Sequence, residues 1–215
     1  MTDGDRRSMW RPPEVAAPAE GGVRGALGGS RLFEQPQYAH EVERFRRFVE
    51  SPGPLAVEIG FDFGERLLDH AARWPDTRWL GLEVRERQVA RVADRAPENL
   101  LAWRADARTI FATLMPAGRV DRIDILFPTP WWDEGKRARR LLLSAAFVAD
   151  LARASSAVGR VHVATDVGAY FEHVEALFGG WAPIDAPPTG DAPSRRERAC
   201  ARDGLPVWRG TWRAH

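Results

Sequence analysis

Leu55-Ala56-Val57-Glu58-Ile59-Gly60-Phe61-Asp62-Phe63-Gly64 is the stretch that decides the fold. Its first five residues lack a turn former and read as a buried strand, and the glycines that follow punctuate a turn. From Glu65 the period changes. Leu67, Leu68, Ala71 and Ala72 recur at helical spacing across residues 65–73.

The same strand-turn-helix unit repeats outward from there. Residues 79–84 read as a second strand and 87–95 as a second helix, with Val89, Val92 and Ala93 inward. Residues 100–103 make a third strand before a helix near 109–114, and 123–127 make a fourth. The longest helix is expected over 139–154, carrying Leu142, Leu143, Ala146, Phe147 and Leu151. A fifth strand at 160–164 leads into a helix at 170–178. Upstream, Tyr38, Val42, Phe45 and Val49 mark an amphipathic helix that Ser51-Pro52-Gly53-Pro54 ends.

Strands alternating with helices imply an α/β fold: a mostly parallel sheet with helices on both faces. Residues 182–185 and 207–213 break the alternation and read as two strands joined by a long polar loop. With no helix expected between them they should pair antiparallel, giving seven strands in all. A loop of about 20 residues is unusual unless it is functional. Residues 1–30, rich in Gly, Ala, Pro and Arg, read as a flexible arm, and 31–215 as one domain.

The 215 residues are 44% apolar, enough for a proper core. The 31 Lys+Arg nearly balance 30 Asp+Glu, and a net charge of +1 excludes a protein that grips nucleic acid by bulk charge. Lys136 is the lone lysine, so nearly all the basic charge is arginine. One cysteine, Cys200, excludes an internal disulfide or a cysteine-rich zinc site, and it reads as a surface-loop thiol. His40, His70, His162, His173 and His215 are scattered without metal-ligand spacing, so no metal is expected. No apolar run is long enough to span a membrane, and Arg6, Arg7 and Arg11 have no apolar stretch behind them. A cytoplasmic protein is expected, with a monomer favoured.

Open α/β sheets bind ligands beyond the carboxyl ends of their strands. Gly60 and Gly64 sit there after the first strand, Glu83 after the second, and Asp106-Ala107 after the third. The glycine spacing does not fit G-x-G-x-x-G, so a dinucleotide fingerprint is not supported. It does fit a turn that lets backbone approach a ligand without a pyrophosphate. Glu83 is placed to accept two ribose hydroxyls, and Asp106 to take an adenine amino group. S-adenosylmethionine carries those groups and no phosphate.

Several ordered segments resemble the tRNA (guanine-N7-)-methyltransferases. They are Val57-Glu58-Ile59-Gly60, Gly81-Leu82-Glu83-Val84, Asn99-Leu100 with Asp106-Ala107, and Leu126-Phe127-Pro128-Thr129-Pro130-Trp131. Arg139-Arg140, Ala164-Thr165-Asp166 and Ser194-Arg195-Arg196-Glu197 with Val207-Trp208 complete the set. The resemblance runs from about Leu55 to Trp212, and Phe-Pro-x-Pro-Trp is its most specific part. It implies a Rossmann-like class I methyltransferase fold, S-adenosyl-L-methionine as cofactor, and tRNA as partner. It implies that Glu58, Glu83 and Asp106 hold the cofactor beside Gly60, Gly64 and Ala107. Asp166, Ser194 and Glu197 are implied to meet the target nucleotide or the methionine end of the cofactor. Apart from the resemblance, Trp131 reads as a stacking platform for a base, and Arg195, in a basic window with Arg196, Arg198 and Arg202, as a phosphate contact. Thr129 and Asp166 take the catalytic positions. The plainer roles are a helix cap for Asp166, a loop charge for Glu197 and simple packing for Trp131.

The sequence departs from the family pattern at four places. Asp62 stands where the family has the middle glycine of the turn, and aspartate tolerates left-handed backbone better than most residues. Thr129 replaces the acid between the two prolines; losing that charge-assisted bond implies a rate lower by roughly ten- to a thousandfold, about 1.4–4 kcal/mol. Trp132-Asp133-Glu134-Gly135-Lys136-Arg137 replaces a basic, histidine-rich run, and Arg195-Arg196 gains positive charge where the family has Lys-Phe. Two other readings stay open: a methyltransferase of this fold with a changed substrate, and a non-catalytic RNA-binding protein that has lost the cofactor.

Overall fold

A computed structural model describes residues 39–131, 141–185 and 191–214. The expected arm at 1–30 and the altered run at 132–137 lie outside the described residues. The first described element is α1 (Ala39–Glu50), whose buried face is Val42, Phe45 and Val49. Phe45 stacks on Trp103 with centroids 4.5 Å apart.

The first strand, β1 (Leu55–Ile59), is buried along its whole length. It lies between β2 (Arg78–Glu83) and β4 (Val120–Leu126), parallel to both. Outside β2 runs β3 (Leu100–Arg104), and outside β4 runs β5 (Ser155–Thr165), again parallel. The last strands, β6 (Ala182–Pro183) and β7 (Trp208–Arg213), pair antiparallel, and β7 also runs antiparallel to β5. The sheet order is β3-β2-β1-β4-β5-β7-β6. The expected mostly parallel seven-stranded sheet is thus observed, and the connectivity reverses between β1 and β4.

Among the described residues the further helices are α2 (Glu65–Arg73), α3 (Glu86–Ala93), α4 (Ala107–Thr113), α5 (Ala145–Ala154), α6 (Gly168–Leu177) and α7 (Arg195–Arg202). Alternate residues of β1 feed two different layers, as a strand's period of two requires. Leu55, Val57 and Ile59 join a core with Phe111, Phe147 and Leu151. Ala56 joins a second core with Leu67, Ala71 and Trp79.

Three expectations need correcting. Of the helix expected over 139–154, residues 139 and 140 lie outside the described residues, and 141–144 are not helical: the helix starts at Ala145, where the Ser144 hydroxyl accepts a bond from the Phe147 amide as its cap. Leu141 and Leu143 are buried on the extended approach, not on the helix. The long polar loop before the last strand contains α7, and Cys200 lies fully buried on that helix, not on a surface loop. The strand expected at 160–164 starts at Ser155, where an irregular stretch opposite Val120 and Arg122 lets a Ser-Ala-Val-Gly sequence continue the ladder.

Gly64 holds the turn and α2 against α3. Its φ is +73°, and a Cβ there would lie 2.1 Å from Val92 Cγ2. Gly64→Ala should therefore cost about 2–4 kcal/mol, combining left-handed strain with overpacking. A urea midpoint shift checks it; a midpoint equal to wild type contradicts the contact.

Candidate functional site

The reversal between β1 and β4 opens a crevice at the carboxyl ends of the strands, where such sheets take ligands. A cleft of about 880 Å³ occupies it. Gly60, Gly64 and Glu58 line it from β1 and its turn, Glu83 from β2, and Asp106 with Ala107 from the start of α4. Thr129 and Trp131 line it after β4, Asp166 after β5, and Ser194 with Arg195 at the head of α7. Residues spread over more than half the chain thus converge on one crevice. Of the residues predicted from sequence, Glu197 alone is absent from the lining: its carboxylate accepts from the Ser194 amide at 2.7 Å and from Arg209 Nη2 at 2.9 Å.

The turn after β1 has three left-handed residues, Gly60, Asp62 and Gly64, with φ of +76°, +49° and +73°. Asp62 does adopt the backbone of the glycine it replaces. A Cβ built on Gly60 meets nothing within 4 Å, so open space lies before that backbone. Asp62 points to arginines, 2.9 Å from Arg85 Nη2 and 3.6 Å from Arg195 Nη1.

Glu83 is buried at the end of β2 and oriented from four directions. Its carboxylate accepts from the Arg85 amide at 3.0 Å, from Arg85 Nε at 3.1 Å, from Arg85 Nη2 at 3.0 Å and from the Asp62 amide at 3.3 Å. Burial pushes its pKa up, but the bonds from Arg85 win and hold the carboxyl below the usual glutamate range. Asp106 caps α4, accepting from the Arg108 amide at 2.9 Å and from Arg108 Nη2 at 2.7 Å. The two strand-end acids therefore share one local device, an arginine two residues downstream. That acid-x-Arg spacing was readable in the sequence and is the signal that would have found Arg85 and Arg108.

On the opposite wall, Thr129 is exposed between two strained positions, Phe127 with φ +50° and Trp131 with φ +51°. Trp131 also packs against the core, so it has both a packing and a lining role. Asp166 is not the cap of α6, which is Val167. Its carboxylate accepts from Arg196 Nε at 3.1 Å. Ser194 caps α7 in a reciprocal capping box with Glu197. Ser-x-x-Glu ahead of a buried Cys200 was the missed signal for this helix. Phe63 lies between the guanidinium groups of Arg195 and Arg91, at 4.3 and 4.7 Å from its ring centre.

Glu58 differs from the other acids. It is buried beneath the cleft and accepts from Arg66 Nη1 at 2.9 Å. Arg66 Nη2 continues to Asp124 at 2.9 Å and Asp191 at 2.8 Å, and Arg122 Nε contacts both oxygens of Asp124 at 3.0 Å. Glu58, His70 and Asp124 approach one another within 4.8 Å, but the Arg66 guanidinium already bridges the two acids where a metal would sit. Sequence reasoning gave no role to Arg66, Arg122, Asp124 or Asp191.

Burial pushes the Glu58 carboxyl from 4.5 up to about 7, with Arg66 pulling against it and Asp124 adding to it. The folded state then binds this proton more tightly than the unfolded chain. The resulting stabilisation is complete below the unfolded value of 4.5 and is lost as pH rises through about 7. Glu58→Gln should thus shrink the fall in denaturant midpoint between about pH 5 and about pH 8. An unchanged fall in the variant contradicts this.

The family model described as "Putative methyltransferase" matches residues 52–181, more than half of the chain. A curated tRNA (guanine-N(7)-)-methyltransferase of Saccharophagus degradans is 35% identical over 150 residues, covering 68% of this chain and 62% of that protein. One from Polaromonas sp. is 33% identical over 172 residues, covering 74% and 69%. One from Leifsonia xyli is 39% identical over 129 residues, covering 58% and 56%. The matches to the first of these relatives thus span about half to three fifths of their length. Among solved structures, an antibiotic-related methyltransferase superposes with a TM-score of 0.53 at 13% identity, covering 79% of this chain and 92% of that one. The aminoglycoside resistance methyltransferase NpmB1 gives 0.51 at 17%, covering 81% and 93%, and these two likenesses speak to the fold. Sequence segments, sheet order and crevice agree with these matches, and the chain belongs to the tRNA (guanine-N7-)-methyltransferase family.

Proposed function

We propose that this chain binds S-adenosylmethionine and transfers its methyl group to N7 of a guanine in tRNA, acting as a cytoplasmic monomer. The observation that carries the reading is the division of the cleft. One wall offers oriented carboxylates and an open glycine backbone, and the other offers Thr129, Trp131, Asp166 and the arginine-bearing head of α7.

The residues suit this cofactor. Glu83 accepts the ribose hydroxyls, Asp106 accepts the adenine amino group, and the space before Gly60 admits the ligand close to backbone. The Arg85 side chain is 53% exposed, which leaves it free to move off Glu83 when hydroxyls arrive. When bound, the cofactor supplies an electrophilic methyl group on a sulfonium.

Guanine N7 carries an in-plane lone pair, so no residue has to remove a proton first. The chain's task is to hold the base in line and exclude other orientations. Thr129 and Asp166 accept hydrogen bonds from the Watson–Crick edge of the guanine. The Asp166 carboxylate also offsets the positive charge that develops on the methylated base. Arg195, beside Phe63, takes a phosphate of the RNA.

Mapping 7-methylguanosine in tRNA after incubation with the cofactor tests the reading, and absence of product at high enzyme concentration overturns it. Calorimetric titration with S-adenosylmethionine separates it from a cofactor-free RNA-binding protein, which would give no heat. Thr129→Asp restores a charged acceptor and should raise the methylation rate at least about tenfold. An unchanged rate removes Thr129 from the set of residues that touch the base.

A further inference from the structure

We propose that Asp191 is a positioning residue: acting through Arg66 and Arg122, it docks the head of α7, and with it Arg195 and Arg196, as one wall of the cleft. The RNA part of this inference rests on the methyltransferase reading; the docking part does not.

The register of β1 and β4 prepares the receptor for Asp191. Ala56 pairs with Arg122 and Glu58 with Asp124, so these four share the sheet face that α2 covers. Arg66 descends onto that face from the first turn of α2. Two guanidinium groups there meet the carboxylates of Glu58 and Asp124, and Asp191 is the third acid. It lies 125 residues from Arg66 and 69 from Arg122 along the chain. Its Oδ2 accepts from Arg66 at 2.8 Å and also from Arg122 Nη2, and its Oδ1 is 3.2 Å from Arg122 Nη1. His70, which faces Asp191 at 3.5 Å, is kept neutral because burial lowers its pKa to about 4.

The segment that follows leans on this contact because α7 buries little apolar surface of its own. Cys200 is its one buried residue, and its other positions are mostly arginine. Among the described residues, its other ion pairs to the rest of the chain include Arg195 with Asp62, Arg196 with Asp166, Arg198 with Glu65, and Glu197 with Arg209. The arginine in each of these pairs is 39–61% exposed, so the cation stays largely solvated and the pair holds weakly, even where the acid, Asp166 or Glu197, is mostly buried. The pairs of Asp191 are made to side chains only 5% and 10% exposed. Breaking such a pair leaves an uncompensated buried charge, so this anchor outweighs the others.

The test is Asp191→Asn in the full chain, read by hydrogen exchange, by calorimetry with S-adenosylmethionine and by tRNA methylation kinetics. Amides of 195–202 should exchange at least about tenfold faster while β1 and β4 keep their protection. The KM for tRNA should rise at least about tenfold, with the cofactor Kd moving less than about threefold. Asp191→Glu, which returns the carboxylate, should recover most of the KM loss, whereas a purely space-filling role predicts no KM loss in Asp191→Asn, whose side chain has the same size. Unchanged exchange in α7, or a cofactor Kd that rises in step with KM, overturns the proposal. If Asp191→Asn does not fold, the double variant R122Q/D191N removes one charge of each sign and is held to the same outcomes. A wild-type chain that leaves tRNA unmethylated defeats the functional reading, and the exchange measurement still decides the role of Asp191.

Discussion

Replacing Arg66 with methionine should lower the free energy of unfolding by about 3–5 kcal/mol, the scale for removing one partner of a buried ion pair. Methionine matches the apolar stem of arginine and drops the guanidinium, so the void left is small and only a minor part of the loss comes from a cavity. The loss comes from the acids left behind. Arg66 donates to Glu58, Asp124 and Asp191 together, and its own side chain is 5% exposed. Glu58 has an escape, because burial raises its pKa to about 7 and it can take up a proton near neutral pH. Asp124 does not: burial disfavours its charge, yet Arg66 and Arg122 hold its pKa far below the usual range. With Arg66 gone, Arg122 alone must hold two aspartates. Urea denaturation is the measurement, with Arg198→Met as the comparison. Arg198 pairs with Glu65 at the surface, and its loss should cost at most about 1 kcal/mol. An Arg66→Met chain within about 1 kcal/mol of wild type would show that the buried acids find other partners.

Glu83→Ala should weaken S-adenosylmethionine binding by about thirtyfold to a thousandfold, with a smaller effect on stability. Two hydroxyl bonds to a charged acceptor contribute about 1.5–3 kcal/mol each, reduced because Arg85 must first give way. The carboxylate is preorganised by the Asp62 and Arg85 amides, which do not depend on the Arg85 side chain. The variant also strands Arg85, but that side chain is half-exposed and has Asp62 as an alternative partner, so folding suffers little. Calorimetry on the variant measures the loss directly. An affinity within threefold of wild type would place the ribose elsewhere in the cleft.

The cofactor wall was more legible in the sequence than the substrate wall, and the reason is distance along the chain. Glu83 ends β2 and Asp106 comes two residues after β3, and each is oriented by an arginine two residues on, so local pattern suffices to place them. Ser194 and Glu197 were read as ligand contacts from family resemblance, and a capping box accounts for the bonds between them. Residues 195–202 read as a charged loop because only Cys200 is buried, and a helix held by polar anchors leaves no apolar period to detect. The missing first turns of α5 have a similar origin. Leu141 and Leu143 suit a helix in composition, but Ser144 competes for the backbone and wins.

The sequence by itself determined the alternation of strands and helices, the parallel sheet with its antiparallel tail, and the acids standing at strand ends. These follow from periods of 2 and 3.6 and from the conformational freedom of glycine, all of which act within a few residues. The tertiary structure alone decided that Glu58 lies beneath the cleft inside a five-member ionic cluster, and that Asp191 completes it. Its ion pairs join residues up to 125 positions apart, and strand register sets which of them face one another. An isolated buried charge is costly, so these residues are tolerable only as a set. No local pattern reports the partner that makes each one tolerable.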